Sequence, residues 1–163
     1  MSGKKQAMAS PPSSELLART LISLLADAAF VFAEPVATSM PAGENPWVAR
    51  LTIEHGESWE LCVCVQDKLG PLLAANLLGT ESETGEARAA AADAVGELAN
   101  ILAGALAVEL FGKDVVCNIG IPVVTIATGD AVGDCLAKST CQANLLTEEG
   151  YALAVALTAQ CRP

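Results

Sequence analysis

Between Ser82 and Gly112 the chain runs for about thirty residues without a proline, rich in alanine and leucine, and this pattern predicts one long helix. At 100° per residue, Glu86, Asp93, Glu97, Asn100 and Gly104 fall within roughly 60° of one another. Most of the remaining wheel is apolar or small: Val95, Leu98, Ile101, Leu102, Leu106, Leu110 and many alanines, with Glu109 and Arg88 the main exceptions. A helix so apolar is mostly buried, and a narrow polar line along it needs a reason. A merely solvated edge would favour the good helix formers Lys, Glu, Arg and Gln. Asn100 is a poor one, because its amide competes with the backbone, yet it stands mid-helix one turn before a glycine. A short amide beside a carboxylate, with space above, suits the holding of a water molecule or of another protein's polar group.

The other elements follow from periodicity and punctuation. A helix is expected from an N-cap at Ser14 to about Phe32. Its apolar part, Leu21 to Ala33, is interrupted by Asp27 and too short to span a bilayer. Trp47 to Glu54 and Ser58 to Gln66 alternate about Gly56-Glu57, which is a hairpin pattern. Leu69 to Leu78 reads as a short helix stopped at Gly79, Thr80 and Glu83 as a capping box, and Gly112 as the stop of the long helix. Val115 to Thr128 reads as strand, broken at Gly120-Ile121-Pro122, where the proline implies an edge or a bulge. Asp134 to Leu146 and Tyr151 to Ala159 flank a turn at 147–150 as a second hairpin. The sum is an α+β fold, two long helices and about six strands, with the helices layered on a largely antiparallel sheet. The order helix, proline, strand, strand occurs twice, from Ser14 and again from Thr84, as a weak internal repeat. The first copy has no Glu-x-x-Asn.

Composition narrows the function classes. The 163 residues suit a single domain over 14–163 behind a disordered polar leader, 1–13. Hydrophobic residues make up 52% but aromatics only 4%, so the core is Ala, Leu and Val. A net charge of −10 argues against nucleic acid and anionic membrane as partners and is compatible with a basic patch on another protein. The first residues do not form a signal peptide, so a cytoplasmic location is expected. The six cysteines are then expected as thiols. Cys62 and Cys64 alternate on one side of a strand, and with no CxxC and His55 the only imidazole they read as core thiols, not as a metal site. GxSxG, Walker and GxGxxG motifs are absent.

The stretch DAVGELANILAG resembles the CheX/CheC/FliY phosphatases of bacterial chemotaxis. Their signature is an Asp or Ser, three residues, Glu, two residues, Asn, and a later Pro; the matching positions are Asp93, Glu97, Asn100 and Pro122. A single copy of the motif resembles CheX rather than CheC. The resemblance implies a CheC-like two-layer fold and a phosphatase acting on the phospho-aspartate of a CheY-type response-regulator receiver domain. By that analogy Asn100 orients the attacking water and Glu97 pairs with the receiver's lysine. Asp93 and Pro122 are expected to serve docking, as is Gly104 on the ground of its small size alone, which would let a partner's backbone approach closely. The phosphatase has no cofactor or metal of its own, since the receiver supplies Mg²⁺, and a homodimer with sheets joined edge to edge is implied. The alternative is a non-catalytic module of the same fold that binds a receiver domain or a flagellar-switch component.

Overall fold

Alternation along ESWELCVCV decides how the layers stack. In the computed structural model, which describes residues 11–40, 45–79 and 85–160, this segment is strand β3, Glu57–Val65. Its odd-numbered Trp59, Leu61, Val63 and Val65 face a large core shared with helices α1 (Ser14–Ala29), α2 (Leu69–Leu78) and α4 (Ala91–Phe111). Its even-numbered Cys62 and Cys64 face the other way, into a smaller cluster with Met40, Val48 and the short helix α5, Gly129–Ala137. A strand with both faces covered loses the polar half of the usual alternation, which is why this one reads as nearly continuous apolar sequence.

Strands β1 (Ala33–Val36), β2 (Trp47–His55), β3, β4 (Asn118–Ile119), β5 (Val123–Ile126), β6 (Cys141–Thr147) and β7 (Ala152–Gln160) form one sheet in the order β1-β6-β7-β3-β2-β4, with β5 also on β2. Every pairing is antiparallel. With the one-turn helix α3 (Gly85–Ala89), the fold is α+β: among the described residues, five helices on a seven-stranded open sheet. The expected repeat is visible in this order. Exchanging β1 with β5, β2 with β6 and β3 with β7 reverses the sheet onto itself, and α1 and α4 precede the two copies. Each copy begins at a sheet edge beside a proline, Pro35 in β1 and Pro122 before β5, where a missing N–H costs no ladder bond.

α4 is the central beam. Leu98, Leu102, Leu106 and Leu110 are fully buried at i, i+4 spacing, each contributing roughly 1.5–3 kcal/mol. Length and composition alone would let α4 cross a membrane, but 61% of its apolar window is buried inside this fold. It is a core helix.

Several expectations need correction. The long helix is not continuous from Ser82: Ala90 separates α3 from α4. The N-cap of α1 is Ser13, whose Oγ accepts from Leu16 N at 3.1 Å, rather than Ser14. α1 stops at Ala29 instead of Phe32, because Phe30 turns left-handed at φ 53°. The chain then runs on into β1, a strand absent from the expected set. Asp134 to Leu146 is not one strand. Thr128 caps a helix there, accepting from Ala131 N at 3.2 Å, and Val132 and Leu136 are buried one turn apart, which is helical spacing. Gly129 and Gly133 hide that helix from propensity reasoning. The Thr80–Glu83 capping box, Cys161 and residues 1–10 of the expected leader lie outside the described residues.

Candidate functional site

The polar line of α4 meets the edge of the sheet. Asp93, Gly96, Glu97 and Asn100 form one wall of a groove of about 430 Å³, and Ile119, Gly120, Ile121, Pro122 and Val124 form the other. Asp93, Glu97 and Asn100 are at i, i+4 and i+7 and all three are exposed. Among the described residues, none of the three side chains is engaged in a hydrogen bond or ion pair. Two carboxylates and an amide thus stand free on one face of a largely buried helix.

The facing wall is built by a bulge. β2 pairs Ile53 with Ile119 and Arg50 with Val123, so Leu51 and Thr52 stand opposite three residues, Gly120, Ile121 and Pro122. One extra residue bends the edge strand and turns it off the ladder. Gly120 permits this bend. Its N–H donates to Thr52 O at 2.8 Å, and a Cβ there would stand 2.7 Å from Thr52 Oγ1 and 3.2 Å from Thr52 N. Gly96 sets the gap from the helix side, since a Cβ on it would lie 3.3 Å from Val124 Cγ2 and 3.8 Å from Pro122 Cβ. The sequence pattern marked Gly120 only as part of the break at Gly120-Ile121-Pro122 and did not single out Gly96. Their signal is only that GEL and NIGIP carry glycines where a helix and a strand would not favour them.

Of the residues named from the sequence, the groove brings together Asp93, Glu97, Asn100 and Pro122. Gly104 is not among its lining residues; it lies one turn further along α4, with open space where a Cβ would be. Glu86 sits on α3, outside the groove. Among the described residues no group of three or more His, Cys, Asp or Glu is arranged to hold a metal ion.

The first copy of the repeat has a counterpart groove between α1 and β1–β6, larger at about 830 Å³ and mostly apolar. Glu15, Arg19 and Ser23 line it, with Pro35 opposite. It has the shape relation of the second groove without a Glu-x-x-Asn pair, so the amide–carboxylate chemistry belongs to α4 alone.

The sequence matches the family described as "Chemotaxis phosphatase CheX" over residues 48–143, more than half of the chain, a span that includes α4, the bulge and α5. Solved structures agree on the fold. A CheX–CheY–BeF3–Mg²⁺ complex from Borrelia burgdorferi superposes at TM-score 0.64 with 16% identity, covering 90% of this chain and 97% of that one. CheX from Desulfovibrio desulfuricans gives 0.62 at 13% identity over 90% and 98% of the two chains, and CheX from Vibrio vulnificus gives 0.60 at 16% over 86% and 93%. A comparison with curated proteins returns no significant match. The family match and the fold lead to one conclusion: this chain belongs to the chemotaxis phosphatase CheX family.

Proposed function

We propose that the protein hydrolyses the phospho-aspartate of a CheY-type receiver domain, with Asn100 and Glu97 as the groups inserted into the receiver's site. The observation that carries this reading is the pairing of a free amide and a free carboxylate, i and i+3 on a rigid core helix, in an open groove. Phosphoryl transfer needs position and charge more than a covalent nucleophile. The Asn100 amide offers an acceptor oxygen and two donor hydrogens, enough to hold a water in line with the phosphoryl group. Glu97, an acceptor, would take the receiver's lysine and so fix the register of the helix. Mg²⁺ would be held by the receiver, not by this chain, and would neutralise charge on the phosphoryl oxygens. The buried leucines behind the pair fix the helix that carries both residues, and positioning is where a rate advantage arises.

Asp93, one turn before Glu97, and Pro122, on the opposite wall, are assigned to docking, as is Gly104 beyond the groove. Like its partner, the protein would act in the cytoplasm. A homodimer through the β4–β5 edge also fits, since Val123 and Ile126, which do not line the groove, are 63% and 59% exposed on that edge. Sedimentation of wild type against Val123→Lys tests this, a monomer in both cases refuting it.

The functional test is phosphate release from a panel of CheY-type receivers charged with acetyl phosphate. Faster loss on at least one receiver with wild type, reduced to background with Asn100→Ala, supports the reading. Binding without acceleration on any of them would leave a non-catalytic receiver module.

A further inference from the structure

On the sheet face away from the groove, three thiols meet beneath α5. Cys62 Sγ lies 3.8 Å from Cys64 Sγ and 3.8 Å from Cys135 Sγ, so Cys62 touches both. Cys62 and Cys64 are buried, whereas Cys135, on α5, is partly exposed. Arg50 Nη1 stands 3.4 Å from Cys135 Sγ and also 3.4 Å from Glu60 Oε1. We propose that Cys135 and Cys62 are a peroxide-reactive pair that forms a reversible disulfide, stapling α5 to β3.

Geometry selects the pair. Cys62 and Cys64 are two apart on one strand, where Cα atoms stand about 6.6 Å apart and the side chains project in parallel. A disulfide needs its Cβ atoms about 3.8 Å apart, which a regular strand does not allow at that spacing. Cys62 and Cys135 come from different layers, and their sulfurs close on one another by side-chain rotation and a small shift of α5. Exposure selects the first thiol. Cys135 thiolate attacks the O–O bond of hydrogen peroxide, forming a sulfenic acid and releasing water once protonated. The Cys62 sulfur then attacks the Cys135 sulfur and the S–O bond breaks. Its thiol proton leaves with the departing hydroxide as a second water. Two thiols are oxidised and one peroxide is reduced to two waters. Burial and the neighbouring Cys62 push the Cys135 thiol up, and Arg50 opposes them by favouring the thiolate; contact with Cys64 and burial push Cys62 up. The reaction is therefore slow at neutral pH and quickens as pH rises, since the thiolate is the attacking form.

The bond closes a loop spanning 73 residues, which contains α4, the bulge and both walls of the groove. Such a link stabilises by restricting the unfolded chain.

The test uses the whole 163-residue chain, first reduced and then treated with limiting hydrogen peroxide. The expected result is a loss of about 2 Da in intact mass, reversed by dithiothreitol, with tryptic peptides 51–68 and 114–138 joined. Cys135→Ser should abolish the link, while Cys64→Ala and Cys117→Ala, which remove the other thiols of those two peptides, should keep it. The melting midpoint of the oxidised protein should rise by roughly 5–10 °C. An unlinked wild type, a different pair of joined peptides, or a lower melting midpoint in the linked form would overturn the proposal. Mapping of the wild type needs no variant to fold.

Discussion

Gly104 separates stability from partner docking more cleanly than any other position in α4. It lies inside a 21-residue helix, and a Cβ built on it meets no heavy atom within 4 Å outside the helix's own turn. Alanine there removes backbone freedom from the unfolded chain at no steric cost in the folded one. The expected gain is about 0.5–1 kcal/mol, the difference between glycine and alanine in a helix interior. For a domain of this size that raises the melting midpoint by roughly 1–4 °C. If a partner's backbone passes close over Gly104, the same methyl reduces affinity, and Gly104→Leu abolishes it. The assay is a thermal melt by circular dichroism, run beside titration of a receiver activated with beryllofluoride. A lower midpoint for Gly104→Ala would refute the structural argument. A higher midpoint for Gly104→Ala, with unchanged receiver affinity in Gly104→Leu, would refute the docking role and leave the fold intact.

Three further outcomes follow from contacts in the structure. Gly120→Ala forces a Cβ to 2.7 Å from Thr52 Oγ1, and should cost about 1–3 kcal/mol in urea unfolding while shifting the Pro122 wall, so receiver affinity falls with it. Leu102→Ala empties a fully buried site between α4 and the sheet and should lower stability by about 2–5 kcal/mol; a loss under 1 kcal/mol would mean that the core is looser than described. Asn76→Ala removes the bond from Nδ2 to Ala29 O, 2.7 Å long, that satisfies the last turn of α1. It should cost about 1 kcal/mol by the same measurement, and no loss would show that water replaces it.

Much of the candidate site was legible because α4 is almost wholly apolar. On such a helix each polar residue needs an explanation, and Asn100 in particular goes against propensity. The proline after Gly120 marked the facing wall for the same reason, since a proline within a strand pattern demands an edge or a bulge, and the register shows both. Gly96 stayed hidden, and Gly120 was read only as part of a strand break, because the importance of each is a distance, to Val124 and to Thr52, residues remote in sequence. α5 was missed because two glycines lower its propensity, and tertiary burial of Val132 and Leu136 overrides that. β1 was missed because AEPV is too short and polar to alternate; β6 pairs with it and makes it a strand. Glu86 looked continuous with the stripe on a helical wheel, but the break at Ala90 puts it on another helix.

The most direct measurement is single-turnover dephosphorylation of a cognate receiver at saturating protein, wild type against Asn100→Ala, with affinity determined on the beryllofluoride form of the same receiver. If Asn100 positions the attacking water, Asn100→Ala lowers the rate by about a hundredfold or more, with affinity within a few-fold of wild type. An unchanged rate at saturation would contradict the role assigned to Asn100. So would a rate loss fully explained by weaker binding.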